Sequence, residues 1–277
     1  QSVGRLKVET YPSGQLGREA EMIESMKMGA LEGYLGGVFD AITPRLNLYM
    51  MPFVFEKQED LFRVANSDIG AQIAKSAEAY SIKILAVGDG GSRHITNNIR
   101  PIRTPADLKG LKMRTPPMES LLRTMKTLGA NPVSIPYEDT YLALKTGVAD
   151  GQENPLMNIV TMKFHEVQKF LTIINYIWAP EPFCVGLAWY NSLNPDLQKI
   201  LQDGAWVYTK EQDKLRRETD DYYLKVMRDR GVEVYKPSAA ERQLFIDTSR
   251  PVYDYFMDKG VFSKEQFEAV RRIASGK

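Results

Sequence analysis

The run YLALKTGVADGQENP, residues 141–155, leaves this chain few folds to choose from. Tyr141, Leu142 and Leu144 read as the apolar residues of a helix, and Gly147 stands where a left-handed C′ residue belongs. Residues 148–153 can form a short buried strand. Asn154 then reads as a helix N-cap, with Pro155 in the first turn of the next helix. Helix, glycine stop, strand and new helix in 15 residues is the grammar of an open α/β sheet. In such sheets the crevice beyond the carboxyl ends of the strands is where ligands are met.

The rest of the chain keeps to this grammar. Leu6 and Val8 alternate with polar neighbours and predict a strand. Residues 17–31 predict a helix with Met22, Ile23, Met26 and Ala30 on one face. A buried strand over 34–38, a polar helix over 59–80 and an apolar strand over 82–87 follow. GDGGSRHITNN, residues 88–98, reads as a glycine-rich loop crossing between two domains. After the capped turn at Thr104–Asp107, strand and helix alternate to about residue 165, which predicts a mostly parallel sheet. Residues 170–178 and 183–189 read as two more strands, the second returning to the first domain. The helical pattern over 194–230 carries one large apolar residue, Leu215, in its central part. A helix this polar over several turns suits a bridge across two bodies. A strand over 232–235 and helices capped by Ser238 and Ser263 complete the pattern.

Composition closes off several functions. The 277 residues carry a formal net charge of +1 and no long basic run, against nucleic acid as the main partner. No 18-residue apolar stretch is present to span a membrane. The single cysteine, Cys184, excludes an intramolecular disulfide. His94 and His165 have no partners at metal-ligand spacing, and neither a G-x-S-x-G elbow nor an H-E-x-x-H motif occurs. No cofactor is expected. The N-terminus has no signal-peptide pattern, so the chain is expected to start beyond a signal peptide and beyond a first β–α unit.

Arg114 ends the strand that alternates Leu111 and Met113 with Lys112, just before Thr115-Pro116-Pro117. An arginine there can meet a carboxylate through two parallel N–H···O bonds. On the residues alone, a structural salt bridge is the commoner use of such a side chain. Asn154 needs no role beyond a helix cap, and Arg93 none beyond a solvated loop. Tyr137, following the strand over 132–135, would ordinarily be core. Gly36, Gly37, Val38 and Phe39 follow a strand where backbone can approach a ligand. Trp178, Glu181 and Phe183 lie at the second crossover, with packing the alternative for both aromatics. A Glu181 reaching the crevice would repel a second ligand carboxylate and favour hydroxyl or amine groups.

Four stretches carry a family resemblance: TYPSGQLGREAEMIESMKMGALEG (10–33), GSRHITNNIRPIRTPADLKGLKMRTPP (91–117), LGANPVSIPYEDTYLALKTGVADGQENP (128–155) and KFHEVQKFL (163–171). In order and spacing the chain resembles the DctP family, the solute-binding proteins of tripartite ATP-independent periplasmic (TRAP) transporters. The resemblance implies a two-domain periplasmic-binding-protein-like α/β fold with a long helix across both domains. Residues 1–91 with about 180–219 would form domain I, and 92–179 with about 220–277 domain II, the cleft lying between them. It further implies capture of a small organic acid by hinge closure, without catalysis, in the periplasm. The expected partners are that ligand and the TRAP permease, with the binding protein itself a monomer. It assigns Arg114 as carboxylate clamp, Arg93 (in Gly91-x-Arg93-x-x-Thr96-Asn97) and Asn154 as further contacts, and Tyr137 as cleft wall. A binding protein for a sensor or ATP-driven importer, or an enzyme acting on a carboxylate, are the alternatives.

Overall fold

The computed structural model describes residues 2–277, apart from the side chain of Arg217. Its elements are α1 (Glu19–Lys27), β1 (Gly33–Leu35), α2 (Phe39–Ile42), α3 (Gln58–Ala65), α4 (Asp68–Ser76), β2 (Ile82–Ser92) and β3 (His94–Asn97). Then come β4 (Lys112–Thr115), α5 (Glu119–Thr127), β5 (Asn131–Ser134), α6 (Thr140–Lys145), β6 (Gly151–Asn154), α7 (Leu156–Thr161) and β7 (Phe170–Thr172). The chain ends with β8 (Trp178–Gly186), α8 (Leu187–Ser192), α9 (Pro195–Asp229), β9 (Glu233–Tyr235), α10 (Ala239–Ser249), α11 (Pro251–Asp258) and α12 (Lys264–Ala274).

The strands form a three-stranded sheet, β1-β8-β2, and a six-stranded sheet, β5-β4-β6-β3-β7-β9. In the larger sheet β4 runs parallel to β5 and β6, and β7 parallel to β9, as the βαβα pattern predicts. β3 is antiparallel to β6 and β7, and both pairings of the smaller sheet are antiparallel. Direction explains the difference. The chain leaves the smaller sheet through β2 into β3 and comes back through β7 and β8, so the outgoing and returning strands must oppose each other. Arg93 N–H donates to Ile177 O at 2.9 Å where the two paths pass, fixing the crossover.

Several local expectations are corrected. Residues 5–10 form no strand, and Val8 is exposed: no strand among the described residues pairs with them. The helix over 59–80 is broken in two, because Ser67 accepts from Gly70 N–H and caps α4. GDGGSRHITNN is not a loop; β2 runs on to Ser92 and β3 begins at His94. The glycines are there because the backbones crowd: a Cβ at Gly90 would sit 3.0 Å from Ala179 O. Residues 187–189 belong to α8 rather than a strand, while β8 starts at Trp178. Gly147 does take the left-handed conformation, φ +75°.

Burial follows the amphipathic faces. Ile23 and Met26 of α1 pack with Tyr34, Phe39 and Ile42, and the same apolar cluster continues through Leu121 and Met125 of α5 to Phe256 and Phe267. A second cluster joins Leu144, Leu156, Ile159 and Phe164 to Met227 near the end of α9. The 35 residues of α9 span about 52 Å, enough to lie over both sheets. Its first half packs on β2 and its second on α7, with Leu215 59% exposed between.

Candidate functional site

Strand β4 carries Arg114 near its carboxyl end. The alternation that sends Met113 into the core leaves Arg114 on the other face. Its guanidinium is completely buried. Nε donates to Ile135 O at 2.9 Å, which orients the group, and neither Nη1 nor Nη2 has a hydrogen-bond partner. The Tyr137 ring lies 5.9 Å from the guanidinium carbon, a cation–π distance. Burial, with the repulsion of Arg93, lowers the Arg114 pKa to about 10, against the pull of Glu153 and Glu19. It therefore stays charged at neutral pH, presenting two unpartnered donors on a cation removed from water. Leaving such a group unmatched is costly, and a carboxylate or phosphate edge matches it in shape and charge.

Arg93, reached by the β2–β3 crossover, has the opposite circumstances. Its Nε and Nη2 grip Glu153 at 2.5 and 2.8 Å, and Nη2 also reaches Glu153 O at 2.9 Å and Asn154 Oδ1 at 3.3 Å. Tyr176 donates its hydroxyl to the same Glu153 carboxylate. Burial works against the charge on Arg93, but Glu153 outweighs it and holds the pKa above its usual range. The Tyr176 phenol is pushed well up, by burial first and Glu153 second. His94, buried beside Arg93, is lowered to about 3 by burial and then by the adjacent positive charge.

Asn154 is not the helix cap that Asn-Pro suggests. Pro155 takes the cap position, and Asn154 is the last residue of β6. Its Nδ2 donates to Gln152 Oε1 at 2.5 Å, extending through Thr96 (2.8 Å from Gln152) to Gln168 (2.9 Å from Thr96). This chain of amides and hydroxyls runs under the sheet and fixes which face of Asn154 remains free beside Arg93. Tyr137 accepts from Asn158 Nδ2 at 2.8 Å and stands edge-on to Phe164. Burial raises its pKa to about 12, so it stays a neutral hydroxyl.

The opposite wall comes from α1 and the turn after β1. Glu19 Oε1 accepts from the Tyr34 hydroxyl at 2.8 Å and Gly37 N–H at 3.1 Å. The Glu19 charge acts on both Arg114 and Tyr137, raising the pKa of each. Gly37 thus takes part through its backbone, whereas Val38 and Phe39 are buried and Phe39 belongs to the apolar core. Two contacts cross the rim: Asp40 Oδ2 accepts from Glu119 N–H at 2.9 Å, and Arg18 pairs with Asp139 at 2.9 Å.

The remaining candidates stand elsewhere. Glu181 lies under α9, taking a hydrogen bond from Gln212 and facing Arg216 at 3.6 Å. Phe183 packs edge-on against Tyr208, with ring centres 5.7 Å apart. Trp178 lines a separate cavity with Asp89 and Arg216. The second-crossover candidates thus pack against α9 and the cavity beside Asp89. Reading β8 as starting at Trp178 would have shown why, since its register sends Glu181 towards Gly88 and α9.

Three participants escaped the sequence reading. Glu153 lies within GQENP but serves as counterion to Arg93, and Tyr176 closes that pair. Glu19, in QLGREAE, resembles any acidic residue in a first helical turn. An acid two residues after Gly17 and just ahead of an apolar helix face was the available hint.

With this geometry in view, comparison with known proteins is decisive. The bacterial extracellular solute-binding protein family 7 (DctP) matches residues 1–260. The 2,3-diketo-L-gulonate-binding periplasmic protein YiaO of Escherichia coli is 32% identical over 257 residues, 92% of this chain and 78% of that protein. The crystal structure of the sugar acid binding protein DctPAm of Advenella mimigardefordensis, in complex with galactonate, superposes with a TM-score of 0.93 at 28% identity, covering 99% of this chain and 89% of that one. A TRAP periplasmic solute-binding protein of Haemophilus influenzae with bound L-gulonate gives a TM-score of 0.93 at 27% identity, covering 98% and 90%. The chain that holds this buried arginine without an ion-pair partner thus belongs to the DctP family of TRAP solute-binding proteins.

Proposed function

We propose that this protein captures a small hydroxylated monocarboxylate between its two bodies, closes around it and delivers it to the membrane subunits of a TRAP transporter. The observation that carries the reading is the pair of buried, partnerless Nη donors on Arg114. A carboxylate seated on them completes the fork, and Asn154 and the Tyr137 ring border the same space. Arg93 serves as a neutralised wall, because Glu153 already holds it. A second carboxylate on the ligand therefore finds no unmatched cation and meets Glu19 instead. Hydroxyl groups suit Glu19, which can accept from them while Tyr34 and Gly37 hold it in place. The discriminating role expected of Glu181 passes to Glu19.

The bodies that close are residues 1–91 with about 180–219, and 92–179 with about 220–277. Closure rests on the two crossovers and on α9, and binding favours it by the difference in affinity between the two states. The protein works as a monomer in the periplasm, with no bond made or broken. Among the described residues no helix is long and apolar enough to cross a membrane.

A thermal-shift panel of L-gulonate, D-galactonate, D-glucuronate, lactate and succinate tests this reading. A ligand at 100 times its dissociation constant adds about 2.7 kcal/mol of stability. The sugar acids should raise the melting temperature and succinate should not. A panel in which no acid acts contradicts the binding role; succinate acting most strongly contradicts the part given to Glu19.

A further inference from the structure

A second polar cluster lies beneath α9, where β2 and β8 leave the smaller sheet. Asp89 is buried and accepts from Gln58 Nε2 at 2.8 Å and Gly91 N–H at 2.7 Å. Glu181, opposite Gly88 in the β2–β8 ladder, accepts from Gln212 and stands 3.6 Å from Arg216 Nη2. Arg216 is itself buried, and its Nε has no partner. Asp89 and Arg216, with Gln58, Trp178 and a rim formed by Asp220, enclose a cavity of about 50 Å³. That is room for ordered water between polar walls.

Both bodies build the cavity. Asp89 and Gly91 come from β2, while Pro155 and Met157 follow β6 of the larger sheet. The fit is close: Gly91 has φ +96°, and a Cβ there would sit 2.8 Å from Pro155 and 3.0 Å from Arg216 Nη1. Turning one sheet away from the other parts these walls and admits water. Among the described residues, Asp89 and Asp220 in the cavity and Glu181 beside it all act on the guanidinium of Arg216. From α9 itself Asp213 acts on Asp89, Asp221 on Asp220 and Tyr208 faces Glu181. α3 offers Gln58 and α7 Met157, both uncharged. Surplus negative charge is well tolerated in water and poorly in a closed cavity.

We propose that Asp89, Glu181 and Asp220 around Arg216 form a proton-operated latch at the hinge, in which a proton taken up by the cluster favours the closed arrangement of the two bodies. The sign follows from the surroundings. Burial, against the pull of Arg216 and with Asp89 adding to it, raises Glu181 to about 7. Burial likewise raises Asp89. Once opening hydrates Glu181, its pKa returns towards about 4.3. The closed state thus enjoys its full advantage below the hydrated value and loses it as pH rises through about 7. From pH 8 to pH 6 the closed-to-open ratio should rise about tenfold. Within this window His94, held near 3, stays neutral in the closed state.

The test is calorimetric titration with L-gulonate at pH 6 and pH 8. Wild-type protein should bind about tenfold more tightly at pH 6 and take up about half a proton on binding at pH 7. Glu181→Gln should bind equally at both pH values, at the tighter level. A flat wild-type profile, or an undiminished slope in natively folded Glu181→Gln, overturns the latch. Should Glu181→Gln fail to fold, Asp89→Asn decides: relieving Glu181 of a like charge should shrink the slope between pH 6 and 8, and an unchanged slope overturns the idea. Failure of L-gulonate to bind at any pH counts against the ligand reading, which is a separate matter. The latch is then read in ligand-free protein from the distance between spin labels at Lys75→Cys and Lys145→Cys. A closed-to-open ratio that rises about tenfold from pH 8 to pH 6 supports it, and a constant ratio overturns it.

Discussion

Arg93, at the β2–β3 crossover, and Arg114, in β4, are both buried and are used in opposite ways. Arg93 is matched by Glu153 within the chain, while the Nη donors of Arg114 are matched by nothing in it. The first is part of the wall, and its energetics belong to folding. The second is held ready by Ile135 O, and its energetics belong to binding. An electrostatic description that counted two arginines beside the crevice would predict a dianion. The pairing of one of them reduces the demand to a single negative group.

The largest effect that could break this contrast is on stability. Glu153→Leu leaves Arg93 buried without its counterion and should cost about 3–5 kcal/mol in denaturant unfolding. Arg114→Met should cost nothing or raise the stability of the ligand-free protein, since it removes a buried charge that has no partner. Equal losses in the two variants would mean that both arginines are structural. Glu19→Gln sharpens the other half of the comparison. It removes the repulsion facing a diacid, so the ratio of succinate to L-gulonate affinity should rise about tenfold, equivalent to 1.4 kcal/mol, in competition titrations. The smallest effect is expected at the rim. Asp40→Ala deletes a cross-crevice cap on α5 and should weaken L-gulonate binding by about 1 kcal/mol, visible as faster release in stopped-flow measurements. An unchanged release rate would remove that contact from the closure mechanism.

How far the sequence could be read depended on whether a residue's role is set locally. The long helix over 194–230 declared itself because a polar face sustained over many turns has few uses, and the residues of α9 match it closely. Arg114 was legible for a similar reason: strand alternation put it on the side away from Met113. Asn154 was half legible. Its position was right, but its side chain answers to Gln152 and Arg93 across the sheet rather than to its own helix. Residues 88–98 misled because three glycines usually mean a turn, whereas here they allow strands to approach closely. The Arg93–Glu153 pair joins positions 60 apart, and the Glu19–Arg114 opposition joins helix α1 to strand β4. Such pairings arise only from tertiary structure, so no local pattern announces them. Glu181 shows the same limit, since its partners Gln212 and Arg216 come from the long helix.

The most direct measurement is calorimetric titration of Arg114→Met with the sugar acid that binds wild-type protein most tightly. Losing the fork should weaken binding by about 3–5 kcal/mol, at least a hundredfold, in a protein that unfolds no earlier than wild type. Retained affinity in that stable variant would contradict the assignment of Arg114 as the anion's seat.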